Sequence, residues 1–132
     1  MDGPCPDTLR GSTAATFDVV RDQKPPRLLG GGERLTLRVL TQYQRESVVR
    51  KPDGVADDDA RRELVPSGTS LLWIVKHLAK AELLWVGQRF AGRNVDLPGD
   101  TIEDADSIES VVAAYMAAWA EVDSITADAS LD

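Results

Sequence analysis

The sequence predicts an all-α protein, an up-and-down helical bundle with three main helices at about residues 33–50, 70–90 and 106–126 and one short helix between the first two. Three observations carry this reading. Apolar residues recur at spacings of three and four in each long stretch, the repeat of a helix with one buried face. Capping residues precede the second and third stretches, and a Pro and a Gly follow the first. Alternating strand patterns are nearly absent.

In the first helix Leu35, Val39, Leu40, Tyr43 and Ser47 share one face, while Arg34, Arg38, Arg45 and Glu46 fall on others and are expected in solvent. Pro52 and Gly54 end it, because proline disfavours helical backbone before it and glycine suits a C-terminal turn. Residues 57–63 place acids before bases, the order a helix dipole favours. The triplet Asp57-Asp58-Asp59 is read as a solvated helix start, since a calcium loop would alternate its ligands and end in a downstream Glu.

The second main helix follows Pro66-Ser67-Gly68-Thr69, where Ser67 or Thr69 can cap it. The same cluster could cradle a phosphate, but its spacing is not that of a P-loop. Leu71, Ile74, Val75, Leu78, Ala81 and Trp85 gather on one side, Lys76, Lys80 and Gly87 on the other, and His77 at the border. Glu82 falls on the apolar side, where a carboxylate needs a partner; Arg89, two turns on, is the candidate. After a Gly- and Pro-containing loop over 91–105, Asp106 and Glu109 make a capping-box-like start to the third helix. Its heptad-like stripe of Ile108, Val112, Tyr115, Trp119 and Val122 implies packing near +20° against other helices.

The 132 residues suffice for one small domain, expected at 33–127 between a poorly ordered tail (1–32) and a short C-terminal tail (128–132). Thr16 to Val20 could form a brief strand, with no neighbour to pair with. The net charge of −7 is unevenly spread: −1 over residues 1–26, +4 over 27–95 and −10 over 96–132. An acidic chain repels phosphate backbones, which argues against nucleic-acid binding. No signal peptide is visible, and the longest apolar run, Leu71–Val75, is far short of the ~20 residues that span a bilayer, so a cytoplasmic protein without membrane contact is expected. The single cysteine, Cys5, is read as an incidental tail residue and fits a reducing compartment.

His77, the only histidine, is the one clear candidate for chemistry, because a neutral imidazole ligates metals and moves protons near pH 7. Glu82 points about 140° around the helix from it, so the two do not share one ion. Judged alone, His77 reads as a boundary-position structural histidine. A Ser-His-Asp triad lacks a nucleophile elbow, the carboxylates of 96–109 sit in an exposed loop, and no dinucleotide-binding glycine motif follows a strand.

The order of motifs adds a resemblance. Pro25-Pro26-Arg27-Leu28-Leu29-Gly30 leads into Glu33-Arg34-Leu35-Thr36-Leu37, and Asp53-Gly54 follows. Then come Leu64-Val65-Pro66-Ser67-Gly68-Thr69-Ser70-Leu71-Leu72, Val75-Lys76-His77-Leu78-Ala79 and Phe90-Ala91-Gly92. Over about residues 25–131 this resembles the DinB-like superfamily, specifically its actinobacterial mini-circle protein branch, related to mycothiol-dependent enzymes.

The resemblance implies a four-helix bundle with a divalent metal, zinc or nickel, inside one end. His77 stands at the ligand position of the family's second helix. The family's fourth helix supplies the other two ligands, and the metal activates water or a low-molecular-weight thiol such as mycothiol. The chain departs from that pattern at its N-terminal 24 residues, at Pro52, and in ending at Asp132 after the third helix. The expectation is therefore a truncated relative of thiol transferases with no complete active site, or else a non-catalytic helical interaction or dimerisation module. A groove left by the missing helix, lined by Leu78, Trp85, Tyr115 and Trp119, is expected to support a homodimer or leave a poorly stable monomer.

Overall fold

The structure, a computed structural model, describes residues 24–27 and 30–131. Every regular element among them is helical: α1 (Gly32–Val49), α2 (Asp57–Arg61), α3 (Leu71–Glu82), a π-helical segment (Leu83–Phe90) that continues α3, and α4 (Ile108–Ala127). Cys5 and the strand expected at Thr16–Val20 lie outside the described residues.

Local chemistry sets the helix starts, one residue away from where the sequence placed them. Ser70, and neither Ser67 nor Thr69, caps α3: its hydroxyl accepts from the Trp73 amide at 3.2 Å. Gly68 turns the chain with φ +75° just before, and the Ser67 and Thr69 hydroxyls bond each other at 2.9 Å. At α4 the capping box is Ser107 with Ser110 in place of Asp106 with Glu109, because the Asp106 carboxylate is engaged by Lys76 at 2.7 Å. α1 ends at Val49, and Gly54 closes the following turn at φ +75°.

The core lies between α3 and α4, the closest-packed pair. Leu72, Val75 and Ala79 meet Val111, Tyr115, Ala118 and Trp119, with Ala60 of α2 closing one end. Full burial of a leucine such as Leu72 contributes roughly 1.5–3 kcal/mol. The expected apolar side of α3 is thus rotated: Val75 is buried, but Ile74 and Trp85 face solvent, Trp85 being 66 % exposed, while Lys76 is half-buried. Gly87, expected on the solvent side, is buried; a Cβ there would meet Val95 Cγ2 at 2.9 Å. The π segment is one reason, since its wider turn shifts residues past Glu82 off the 100° progression. On α4 Tyr115, Trp119 and Val122 are buried as the stripe implied, and Val111, Ala118 and Ile125 complete the face.

Contacts fix the directions. Lys76 pairs with Asp106, Glu82 meets Tyr115, and Arg93 pairs with Glu121, so α3 and α4 run the same way and residues 91–107 form the return crossover. α1 runs opposite to α4, since Arg34 meets Thr126 and Arg45 meets Asp123.

Candidate functional site

Two places merit a chemical reading, on opposite sides of α3. The first surrounds His77. Its ring is exposed and lies parallel to that of Trp73, with centroids 4.6 Å apart and planes 11° apart. The neighbouring polar groups hold the crossover loop. Trp73 Nε1 donates to the Asp100 carbonyl at 2.9 Å, and Lys76 Nζ donates to the Thr101 carbonyl at 2.9 Å. Lys80 pairs with the Asp100 carboxylate, which this partner, being the dominant influence, holds below the usual aspartate range. Burial pushes the Asp106 carboxyl up, but the Glu103 amide and Lys76 outweigh it and hold it low. Arg61 donates to the carbonyls of Glu103 and Asp106, completing a polar latch.

A metal centre needs three or more donors converging on one point. Among the described residues no group of three or more His, Cys, Asp or Glu side chains is placed to hold an ion. The carboxylate beside His77, that of Asp100, is committed to Lys80. This donor set does not fit a resident divalent metal.

The second place is a cleft of about 1120 Å³ between α1, the π segment and the C-terminal part of α4. Its floor is an ion network that the sequence reading missed. Arg45, expected in solvent, is 3 % exposed. Its Nε donates to both Glu82 oxygens at 3.1 Å, Nη2 reaches Oε2 at 2.5 Å, and Nη1 reaches Asp123 Oδ1 at 2.8 Å. The guanidinium also lies 5.8 Å from the centroid of the Trp119 ring, within cation–π range. Burial alone would lower the Arg45 pKa, but Glu82 and Asp123 more than offset this and leave it raised. Tyr115 donates its hydroxyl to Glu82 Oε1 at 3.1 Å, and burial, with the Glu82 charge second, pushes its phenol up to about 12. Glu82 therefore does have a partner, and it is Arg45 of α1, not Arg89. A carboxylate among apolar neighbours was the available signal; which distant cation answers it is a tertiary fact.

Of the residues expected to line a groove, Tyr115 and Trp119 are core, Leu78 packs against the core, and Trp85 stands in solvent. No described helix is long and apolar enough to cross a membrane.

The family model described as Mycothiol-S-transferase matches residues 36–132. No curated protein and no solved structure matches the chain.

Proposed function

Given that the chain belongs to the mycothiol S-transferase family, we propose that it is a mycothiol-related, DinB-like protein that contributes one metal donor, His77, and does not complete a catalytic centre from its own described residues. One observation carries this reading: the groups around His77 are spent on structure. Its ring stacks on Trp73, the Trp73 indole N–H holds the Asp100 carbonyl, and Lys80 holds the Asp100 carboxylate. The finer assignment, to the mini-circle protein branch, rests on the Pro66–Leu72 and Lys76–Ala79 motifs. Mycothiol is then the low-molecular-weight thiol that a complete site of this lineage serves.

The test is elemental analysis and zinc and nickel titration of the full chain beside His77→Ala, with a mycothiol-transfer assay in parallel. The expected result is no stoichiometric ion, weak binding that His77→Ala further reduces, and no transfer. One tightly held ion per chain, lost on His77→Ala, would overturn the reading.

A second reading, a helical interaction module, is favoured by one observation: Leu35 and Leu37 of α1 are 51 % and 48 % exposed. The two stand on opposite flanks of α1, and both line the cleft of about 1120 Å³ between α1, the π segment and α4, an open apolar-lined groove of the kind that marks interaction sites.

A further inference from the structure

We propose that the cleft between α1, the π segment and α4 binds a small-molecule amphiphile, a single aliphatic chain ending in a carboxylate. Arg38 and Lys24 hold the carboxylate, and the chain lies inward along Val86 and Val122. The proposal is independent of the reading of His77, which lies on the other side of α3.

The head group follows from how the cations of the cleft are spent. Arg34, Arg38 and Arg45 fall within about 40° of one another around α1, so one face of the helix turns all three toward the cleft. Arg34 donates to the Thr126 and Ala129 carbonyls at the outer end, and Arg45 is held by Glu82 and Asp123 on the floor. Arg38, between them, is exposed and makes no hydrogen bond or ion pair with any described residue, and neither does Lys24. The carboxylates that line the cleft, those of Glu46, Glu82 and Asp123, all stand at the level of Arg45. Two of them share the single charge of Arg45, which leaves the floor negative, and Glu46 adds to it. Glu33 and Asp128 lie near the outer end in sequence but line no part of the cleft. An anion is therefore repelled from the floor and drawn to Arg38 and Lys24, roughly 10 Å along α1 from Arg45.

The chain follows from register. Arg45 meets Glu82 while α1 runs opposite to α3, so Arg38 stands roughly level with Phe90. Leu37, Phe90 and Leu131, which are 48 %, 65 % and 51 % exposed, put apolar surface around the cationic end. Val86 and Val122 carry the apolar lining inward to the floor. A row of aliphatic walls with two unspent cations at its mouth matches a ligand that is apolar along its length and anionic at one end. The cleft's 1120 Å³ is just above the ~300–1,000 Å³ of small-molecule sites. A helix seated between α1 and α4 would hold them about 16–20 Å apart, farther than the single side chains of Arg34 and Arg45 that now join them can span.

The experiment is isothermal titration of the full chain with decanoate below its micellar range. Decanol and decyltrimethylammonium serve as the neutral and cationic counterparts, and vesicles of phosphatidylglycerol as a lipid surface. The expected result is saturable binding of one decanoate per chain with a negative heat-capacity change, and far weaker binding of decyltrimethylammonium. Arg38→Gln should weaken decanoate about tenfold, the worth of one charge-assisted hydrogen bond, and leave decanol unchanged. Phe90→Ser, at a position exposed enough to spare the fold, should weaken decanoate and decanol alike, with unchanged helical circular dichroism. Trp85→Ser, exposed but outside the cleft, should change neither. Absence of saturable decanoate binding overturns the proposal, as do equal affinity for decyltrimethylammonium, indifference to Arg38→Gln, or binding to the vesicles with none to free decanoate.

Discussion

Where α3 meets α4 and the crossover loop, apolar side chains interlock and a ring of polar bonds closes around them; where α1 meets the same two helices, two arginines span a cleft. Leu72 and Val75 are each 1 % exposed. Along the flank above them, Trp73, Lys76, Lys80 and Arg61 tie residues 100–106 down by six hydrogen bonds or ion pairs. α1 reaches the core with its last two residues, Val48 and Val49, which lie partly buried there. Arg45 fastens it to Glu82 and Asp123 in the middle, and Arg34 fastens its start to the Thr126 and Ala129 carbonyls at the end of α4. The difference teaches that one small bundle can be held on one side by dispersion and the hydrophobic effect and on the other by a few charge-assisted bonds. The first is insensitive to any single polar group, the second depends on two guanidiniums, those of Arg45 and Arg34.

The sharpest way to break the comparison is Leu72→Ala, expected to cost about 2–5 kcal/mol by urea unfolding, lost from the whole fold at once. Arg45→Met should cost about 3 kcal/mol, because it strands the Glu82 carboxylate beneath α1. Its signature differs: hydrogen exchange should accelerate through α1 while α3 and α4 keep their protection. If both regions lose protection together, α1 is not the separable element described.

Gly87→Ala tests the packed side more gently. Its Cβ would meet Val95 Cγ2 at 2.9 Å, and overpacking should outweigh the roughly 1 kcal/mol that alanine gains in a helix, for a net loss of about 1 kcal/mol. An increase in melting temperature would show that the 91–107 loop yields easily. Ser70→Ala, which removes the α3 cap, should cost about 1 kcal/mol.

A further test is one of pH. Tyr115 has its phenol pushed up to about 12 in the fold against 10 in a free chain, so the folded state favours the neutral form. That preference stabilises fully below pH 10 and is lost as pH rises toward 12. Phenolate absorbance should show one of the two tyrosines titrating late in the folded chain and normally in denaturant, and Tyr115→Phe should abolish the late phase.

These tests bear on what the residues disclose on their own. Helix positions were legible to within a residue or two because starts and stops are local chemistry, though the residues that cap are Ser70 and Ser107, one place beyond the expected Thr69 and Asp106; Gly54 ends the first turn as expected. The buried side of α4 was legible for the same reason, its stripe through Tyr115, Trp119 and Val122 having no competing reading. Arg45 was not. A lone arginine among Arg34, Arg38 and Glu46 carries no sign that it will be buried, and its burial depends on two carboxylates 37 and 78 residues away. The exposure of Trp85 and the burial of Gly87 were hidden as well, since nothing in Leu83–Phe90 announces a wider helical turn. At the candidate site, the spacing disclosed His77 as a boundary residue, and Trp73 four residues before it lies on the same helix face; that Trp73 and Lys80 both hold Asp100 depends on where the crossover loop lies.

The three tryptophans have a use of their own, because each occupies a different environment. Trp119 is buried beside Arg45, Trp73 is sandwiched between His77 and the loop at Asp100, and Trp85 is in water. Their emission separates accordingly: Trp119 to the blue, Trp85 to the red and readily quenched by iodide, and Trp73 sensitive to the imidazole on its face. A single unlabelled sample thus carries three optical reporters, one for the seat of α1, one for the latch and one for bulk solvent, and a fluorescence trace can be read region by region without adding a dye.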